Sequence, residues 1–170
     1  MKTLFIGGVK SGKSRLAEDH ILANTKGLKP IYLATNECFD EEMQRRVSQH
    51  QMRRGTLFTT VEEPLQLLAA LRQHSGPALV ECITMWLNNC LYHQVVENKI
   101  LAELEAVLQL PNTLVLVHNE VGFGIIPDNP LARQFADLSG KAAQLMGVYC
   151  EQVYFCSAGL KLSMKHNLSS

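Results

Sequence analysis

Eight residues near the start, Gly7-Gly8-Val9-Lys10-Ser11-Gly12-Lys13-Ser14, constrain this chain more than any other stretch. A β-branched and aromatic run, Thr3-Leu4-Phe5-Ile6, precedes them, and Arg15-Leu16-Ala17-Glu18 follows as a helix start. Strand, Gly-x-x-x-x-Gly-Lys-Ser, helix is the setting in which a phosphate-binding loop works. Gly7, Gly8 and Gly12 can take backbone angles that turn successive N–H groups inward as a nest for phosphate oxygens. The next helix adds its positive dipole end. Lys13 would reach the β- and γ-phosphates, and the Ser14 hydroxyl would ligate Mg²⁺. A glycine-rich turn that matches by chance is the alternative, but both flanking elements fit and no motif position is mismatched. The sequence predicts a site for a nucleoside triphosphate.

Bulk properties narrow the class without naming a function. A chain of 170 residues can bury one sizeable core and suggests one domain. With 46% hydrophobic and 19% charged residues it reads as globular. The 16 basic and 16 acidic residues cancel, so neither nucleic acid nor an anionic membrane is expected as a partner. No apolar run approaches the ~18 residues of a membrane span, and the charged, glycine-rich N-terminus does not read as a signal peptide. Cys38, Cys82, Cys90, Cys150 and Cys156 show no C-x-x-C spacing. They read as reduced, mostly buried thiols of a cytoplasmic protein rather than a zinc site.

Strand-like apolar runs alternate with amphipathic stretches. The strand candidates are Thr3–Gly7, Pro30–Thr35, Leu57–Val61, Ala78–Ile83, Thr113–His118 and Gln152–Ser157. Helices are expected near Lys13–Asn24, Asp40–Arg53, Pro64–His74, Met85–Leu110 (broken) and Leu131–Gly147. Near-continuous apolar runs such as Leu114-Val115-Leu116-Val117 suit parallel strands buried on both faces. The expected fold is α/β: a single-domain, P-loop NTPase-like, doubly wound and mostly parallel sheet with helices on both faces. Glu120–Pro130 is the one irregular segment long enough to suggest function. In such sheets ligands sit at the carboxyl ends of the strands, so the residues just after each strand matter most.

Glu81 interrupts Leu79-Val80-Glu81-Cys82-Ile83, where a central parallel strand should be wholly apolar. A carboxylate there is costly unless something offsets its charge. Mg²⁺ near Ser14 would do so and is the favoured reading; a capped or salt-bridged strand-end acid is the alternative. In Asp40–Arg54, Met43, Val47 and His50 share one helical face, with Arg46 one turn before His50 and Arg53 and Arg54 about one turn after. Nearby cations lower an imidazole's pKa and favour the neutral, nucleophilic form. A packed or surface histidine on an amphipathic helix fits the same spacing, and periodicity alone does not decide between the two.

Several segments taken together are more specific. Tyr32-Leu33-Ala34-Thr35, Glu42-Met43 with Arg46-Val47-x-x-His50, Thr60-Val61-Glu62-x-Pro64 and Glu81-Cys82-Ile83-Thr84 with Trp86-Leu87-x-Asn89 follow the phosphate loop in order. Asn119-Glu120-Val121-Gly122-x-Gly124-Ile125-Ile126-Pro127 and Arg133-x-Phe135-x-Asp137-x-x-Gly140 complete the set. From Thr3 to about Lys165 the chain resembles the bifunctional adenosylcobinamide kinase / adenosylcobinamide-phosphate guanylyltransferase family of cobalamin biosynthesis.

That resemblance implies two activities. The first phosphorylates the aminopropanol hydroxyl of adenosylcobinamide with ATP or GTP. In the second, a histidine aligned with His50 attacks the α-phosphorus of GTP, and the resulting guanylyl group passes to adenosylcobinamide phosphate to give adenosylcobinamide-GDP. The family's nucleotide contacts carry over to Gly7, Gly8, Val9, Lys10, Ser11, Gly12, Lys13 and Ser14, and to Ala34, Thr35 and Asn36. They also carry over to Gln51, Met52, Arg53 and Arg54, and to Glu62 and Glu81. A homotrimer is implied as well. The chain departs from the family pattern at Lys10 (usually arginine), His118 (a small hydroxyl residue), Ala136 (arginine), Ala143 (asparagine) and Lys161 (often proline). His118 reads as local packing rather than a metal ligand, and Trp86 as helix packing rather than a corrinoid platform.

Two other readings use the same phosphate loop. A small-molecule kinase would need no nucleophilic histidine. A non-catalytic nucleotide-binding regulator would keep Lys13 and Ser14 and turn nothing over. The chain lacks the Asn-Lys-x-Asp guanine-reading motif expected of a GTPase switch.

Overall fold

The computed structural model describes residues 1–25, 27–37 and 55–166. Within these, seven strands form one sheet: β1 (Lys2–Gly7), β2 (Ile31–Ala34), β3 (Thr59–Glu62), β4 (Ala78–Glu81), β5 (Leu114–Asn119), β6 (Gln152–Ser157) and β7 (Leu160–His166). Their spatial order is β3-β2-β4-β5-β1-β6-β7. All pairings are parallel except β6 with β7. The described helices are α1 (Lys13–Ala23), α2 (Leu67–Arg72), α3 (Ile83–Tyr92), α4 (Glu97–Leu108) and α5 (Pro130–Tyr149).

Strand alternation sorts the apolar residues into two cores. Leu4, Leu33, Val80, Leu114 and Leu116 meet α2 to α5 on one face, through Leu71, Trp86, Leu87, Leu104 and Met146. Phe5, Tyr32, Leu79, Val115 and Val117 meet Ala17 and Ile21 of α1 on the other. The central strands are therefore apolar on both sides, and the expected α/β sheet with helices on both faces is what forms.

Several boundaries differ from the sequence reading. β4 ends at Glu81 rather than Ile83, because Ile83 already opens α3. The expected break in Met85–Leu110 falls at His93–Val96, where Gln94 takes a left-handed φ of 56° and Val95 N–H donates to Cys90 O at 2.8 Å. Helix α5 starts at Pro130 because Asn129 Oδ1 accepts from Leu131 N–H at 2.8 Å and the missing proline N–H costs nothing at that position. β7 was not anticipated. It returns antiparallel through a tight turn with left-handed Ala158 and Gly159, and Ala-Gly is a weak turn signal beside Asn-Gly or Asp-Gly. The helix expected over Asp40–Arg53 lies outside the described residues.

Candidate active site

The loop after β1 is held from both sides. Gly7 pairs with Asn119 of β5 and Cys156 of β6. A Cβ on Gly7 would lie 2.3 Å from the Cys156 carbonyl oxygen, so only glycine fits. Gly12 has φ +91°, and its Cβ would lie 2.9 Å from Gly159 Cα in the β6–β7 turn. Gly159 N–H also donates to Ser11 O at 2.9 Å. The β6–β7 hairpin that the sequence concealed is thus the wall against which the loop is moulded. The left-handed residues of the loop are Lys10 (φ 57°) and Gly12; Gly7 is required for space rather than for its dihedral angles, and Gly8 has open space around it.

Inside the loop, buried Lys13 donates from Nζ to Gly8 O at 3.1 Å. The ammonium therefore spans the loop from its helical end to its strand end. Ser11 Oγ is buried and has no hydrogen-bond partner among the described residues. Ser14 Oγ donates to Glu81 Oε1 at 2.8 Å, joining the first turn of α1 to the carboxyl end of β4. Hydroxyl and carboxylate oxygens held side by side are the hard donor set that Mg²⁺ takes, so these two residues fit that ion.

The strand register lines up three more positions. Ala34 of β2 pairs with Glu62 of β3 on one side and Glu81 of β4 on the other, so these residues form a single row across three strand ends. Thr35, next along, is fully buried. Its Oγ1 donates to Cys82 O at 2.8 Å and accepts from Cys82 N–H at 2.9 Å. Asn89 of α3 donates from Nδ2 to Thr35 O at 2.6 Å and to Pro64 O at 3.1 Å. Thr35 and Asn89 therefore brace the loops that carry the row. Burial, reinforced by the Glu81 charge, pushes the Cys82 thiol up to about 12, so it stays protonated.

A buried polar chain lies behind the end of β5. Asn119 N–H donates to Thr84 Oγ1 at 2.7 Å; His118 Nδ1 lies 3.1 Å from the same hydroxyl, and its Nε2 lies 3.0 Å from Ser139 Oγ. The set closes when the Thr84 hydroxyl donates to Nδ1 and Nε2–H donates to Ser139. Burial pushes the imidazole down to about 4; the Lys13 charge adds to this and a backbone hydrogen bond of Ser139 opposes it. His118 is a packed, neutral residue. Trp86 is likewise interior, donating from Nε1 to Leu65 O at 2.9 Å.

Of the residues singled out from sequence, the structure brings together Gly7 to Ser14 and Glu81, and sets Ala34 and Glu62 in one row with Glu81. His50, Gln51, Met52, Arg53 and Arg54 lie outside the described residues. Sequence reasoning placed Asn89 and Thr84 in a motif and read His118 as packing, but assigned no bracing role to Asn89 and missed the linkage of Thr84, His118 and Ser139 and the Gly159 contact. A buried-face asparagine in an apolar helix is the local signal for the Asn89 role; the other relations are long-range contacts with no local signature.

A strand, a glycine-rich turn closed by its own lysine and a helix, with a carboxylate delivered from the next strand but one, define a P-loop nucleotide-binding α/β protein. Among solved structures, flagellar accessory protein FlaH from Methanocaldococcus jannaschii has a similar fold (TM-score 0.53, 11% identity, covering 98% of this chain and 79% of that one). The chain belongs to the CobU family, cobinamide kinase / cobinamide phosphate guanyltransferase, whose model matches residues 3–164. It is 41% identical to the bifunctional adenosylcobalamin biosynthesis protein CobP of Pseudomonas aeruginosa, over 97% of this chain and 98% of that protein. It is 32% identical to the protein CobU of Escherichia coli, also named bifunctional in adenosylcobalamin biosynthesis, over 97% of this chain and all of that one.

Proposed function

We propose that this protein phosphorylates adenosylcobinamide with ATP or GTP and then transfers GMP from GTP to the product, giving adenosylcobinamide-GDP, within one nucleotide-binding domain. Membership of the CobU family supports the pair of activities. The Ser14–Glu81 contact at the phosphate loop, 2.8 Å, is the observation that carries the kinase half.

In the first reaction the aminopropanol oxygen bonds to the γ-phosphorus as the bond from that phosphorus to the β–γ bridging oxygen breaks. The nucleoside diphosphate leaves and the hydroxyl proton is released. Lys13 moves from Gly8 O onto the phosphates, and the loop N–H groups with Ser11 Oγ hold the oxygens. Ser14 and Glu81 hold Mg²⁺, which when bound screens the phosphate charge. Ala34, Thr35 and Asn36, with Glu62, border the nucleotide; Thr35 braces that border, since its hydroxyl is bonded to Cys82, its N–H donates to Glu81 O and its carbonyl accepts from Asn89.

In the second reaction a neutral ring nitrogen of His50 bonds to the α-phosphorus of GTP as pyrophosphate leaves. An oxygen of the cobinamide phosphate then displaces the imidazole, which regenerates His50. Arg53 and Arg54, with Gln51 and Met52, flank the nucleotide in this step. Trimeric assembly and a cytoplasmic location complete the reading. No described helix is long and apolar enough to cross a membrane.

Intact mass spectrometry after incubation with Mg²⁺ and GTP, kept alkaline because phosphoramidates are acid-labile, tests the covalent step. A GMP-sized adduct is expected on the native chain and none on His50→Ala. No adduct on either, with GTP still bound, would remove the guanylyl-histidine step and leave a kinase alone.

A further inference from the structure

The segment after β5 carries an unusual density of exposed apolar side chains. Val121 is 38% exposed, Phe123 82%, Ile125 97%, Ile126 78% and Leu131 61%. Exposed apolar surface gathered in one place marks a binding surface, whereas scattered residues do not.

The segment's own polar groups hold it in shape. Glu120 Oε1 accepts from Gly122 N–H at 2.6 Å. Arg133 donates from Nη1 to the carbonyls of Pro127 and Asp128, both at 2.8 Å. With Asn129 capping α5, these bonds fix the backbone and leave the apolar side chains pointing away from it. They also turn the Glu120 and Arg133 charges onto the loop itself, so Val121–Pro127 carries no charged side chain, and the exposed Asp128 carboxylate follows just beyond it. The complement of this crest is a neutral, largely apolar surface and not a polyphosphate.

The crest is continuous with the phosphate loop. Glu120 N–H donates to Gly7 O at 3.0 Å, and the Phe123 ring lies 6.1 Å from Phe155, whose strand partner Ile6 immediately precedes that loop. A molecule seated on the crest has its edge beside the phosphates.

We propose that Val121–Ile126 with Leu131 forms the acceptor subsite and takes the methyl- and amide-fringed face of the corrin macrocycle. This rests on the cobinamide kinase reading of the same site. The macrocycle covers the apolar crest, and its aminopropanol arm runs over Gly122 toward the γ-phosphate. A second copy of this chain is the competing occupant, and the test separates the two.

The full-length chain is compared with Phe123→Ser, with the double variant Ile125→Ser/Ile126→Ser, and with Leu162→Ser on β7 as an exposed apolar control. Calorimetric titration with cobinamide, titration with GTP, steady-state phosphorylation and particle mass by light scattering are measured on each. The crest variants should raise both the Kd and the KM for cobinamide about tenfold. GTP affinity should hold within about twofold, particle mass should not change, and Leu162→Ser should match the native chain. Unchanged cobinamide affinity in the crest variants would overturn the subsite. A fall in particle mass in those variants would assign the crest to a second copy and overturn it equally. If the native chain neither binds nor phosphorylates cobinamide, the functional reading fails first; native turnover with an insensitive crest removes the subsite alone.

Discussion

Two glycine-bearing loops leave neighbouring strands at the same edge of the sheet and use glycine for opposite purposes. In Gly7–Ser14, after β1, two of the three glycines have no room: a side chain at Gly7 would meet a β6 carbonyl and one at Gly12 would meet the β6–β7 turn. In Val121–Pro127, after β5, a Cβ on Gly124 would meet nothing within 4 Å, and one on Gly122 would meet only the Glu120 side chain, at 2.9 Å, and no other strand or turn. The first loop directs polar groups inward around a space, with Lys13 reaching across it. The second bonds its polar groups to itself and presents apolar side chains. The difference shows that a glycine-rich loop has no intrinsic role. What packs against its backbone decides whether it becomes a polar cradle or an apolar crest.

The largest effect expected from this contrast comes from Gly7→Ala. A methyl 2.3 Å from a backbone oxygen forces β1 and β6 apart. About 2–4 kcal/mol of stability and on the order of a hundredfold in GTP affinity should be lost, read by thermal unfolding and fluorescent-GTP titration. Native-like binding in this variant would show that the cradle is not tightly moulded.

The buried chain behind the second loop should give an intermediate effect. His118 has a folded pKa of about 4 against 6.5 for the solvent-exposed side chain of the unfolded chain, so between those values the unfolded chain binds the extra proton. Its contribution is therefore intact above pH 6.5 and is lost as pH falls toward 4, by an amount on the order of 3 kcal/mol. The unfolding temperature should drop across that window, and His118→Ser should flatten the slope. His20, also lowered by burial and then by Lys161, titrates in the same direction, so the difference in slope between the two proteins is the diagnostic quantity. Equal slopes would detach His118 from the account.

Gly124→Ala should do least, with unfolding temperature within about 1 °C of the native chain and less than a twofold change in cobinamide KM. A large loss there would make the two loops alike and end the contrast.

Much of the fold was legible because its signals are local. Runs such as Leu114–Val117 announce strands buried on both faces, and each falls on an observed strand. Glu81 stood out because a charge in an apolar strand must have a use, and Ser14 lies 2.8 Å from it. β7 was not legible: its apolar positions Leu160, Leu162 and Met164 alternate as a strand's should, but the turn that would have announced a hairpin is Ala-Gly. The histidine assignment rests on family resemblance, since a helical face holding His50 fits packing as well as catalysis.

By itself, the sequence determined the α/β class, the position of the phosphate loop and the carboxylate facing it. Each of these follows from the chemistry of a few adjacent residues. Only the tertiary structure decided that the β6–β7 turn moulds the loop, that Ala34, Glu62 and Glu81 share a row, and that His118 is locked between Thr84 and Ser139. Those relations join residues from 21 to over 140 positions apart, and only strand register and helix packing bring such residues together.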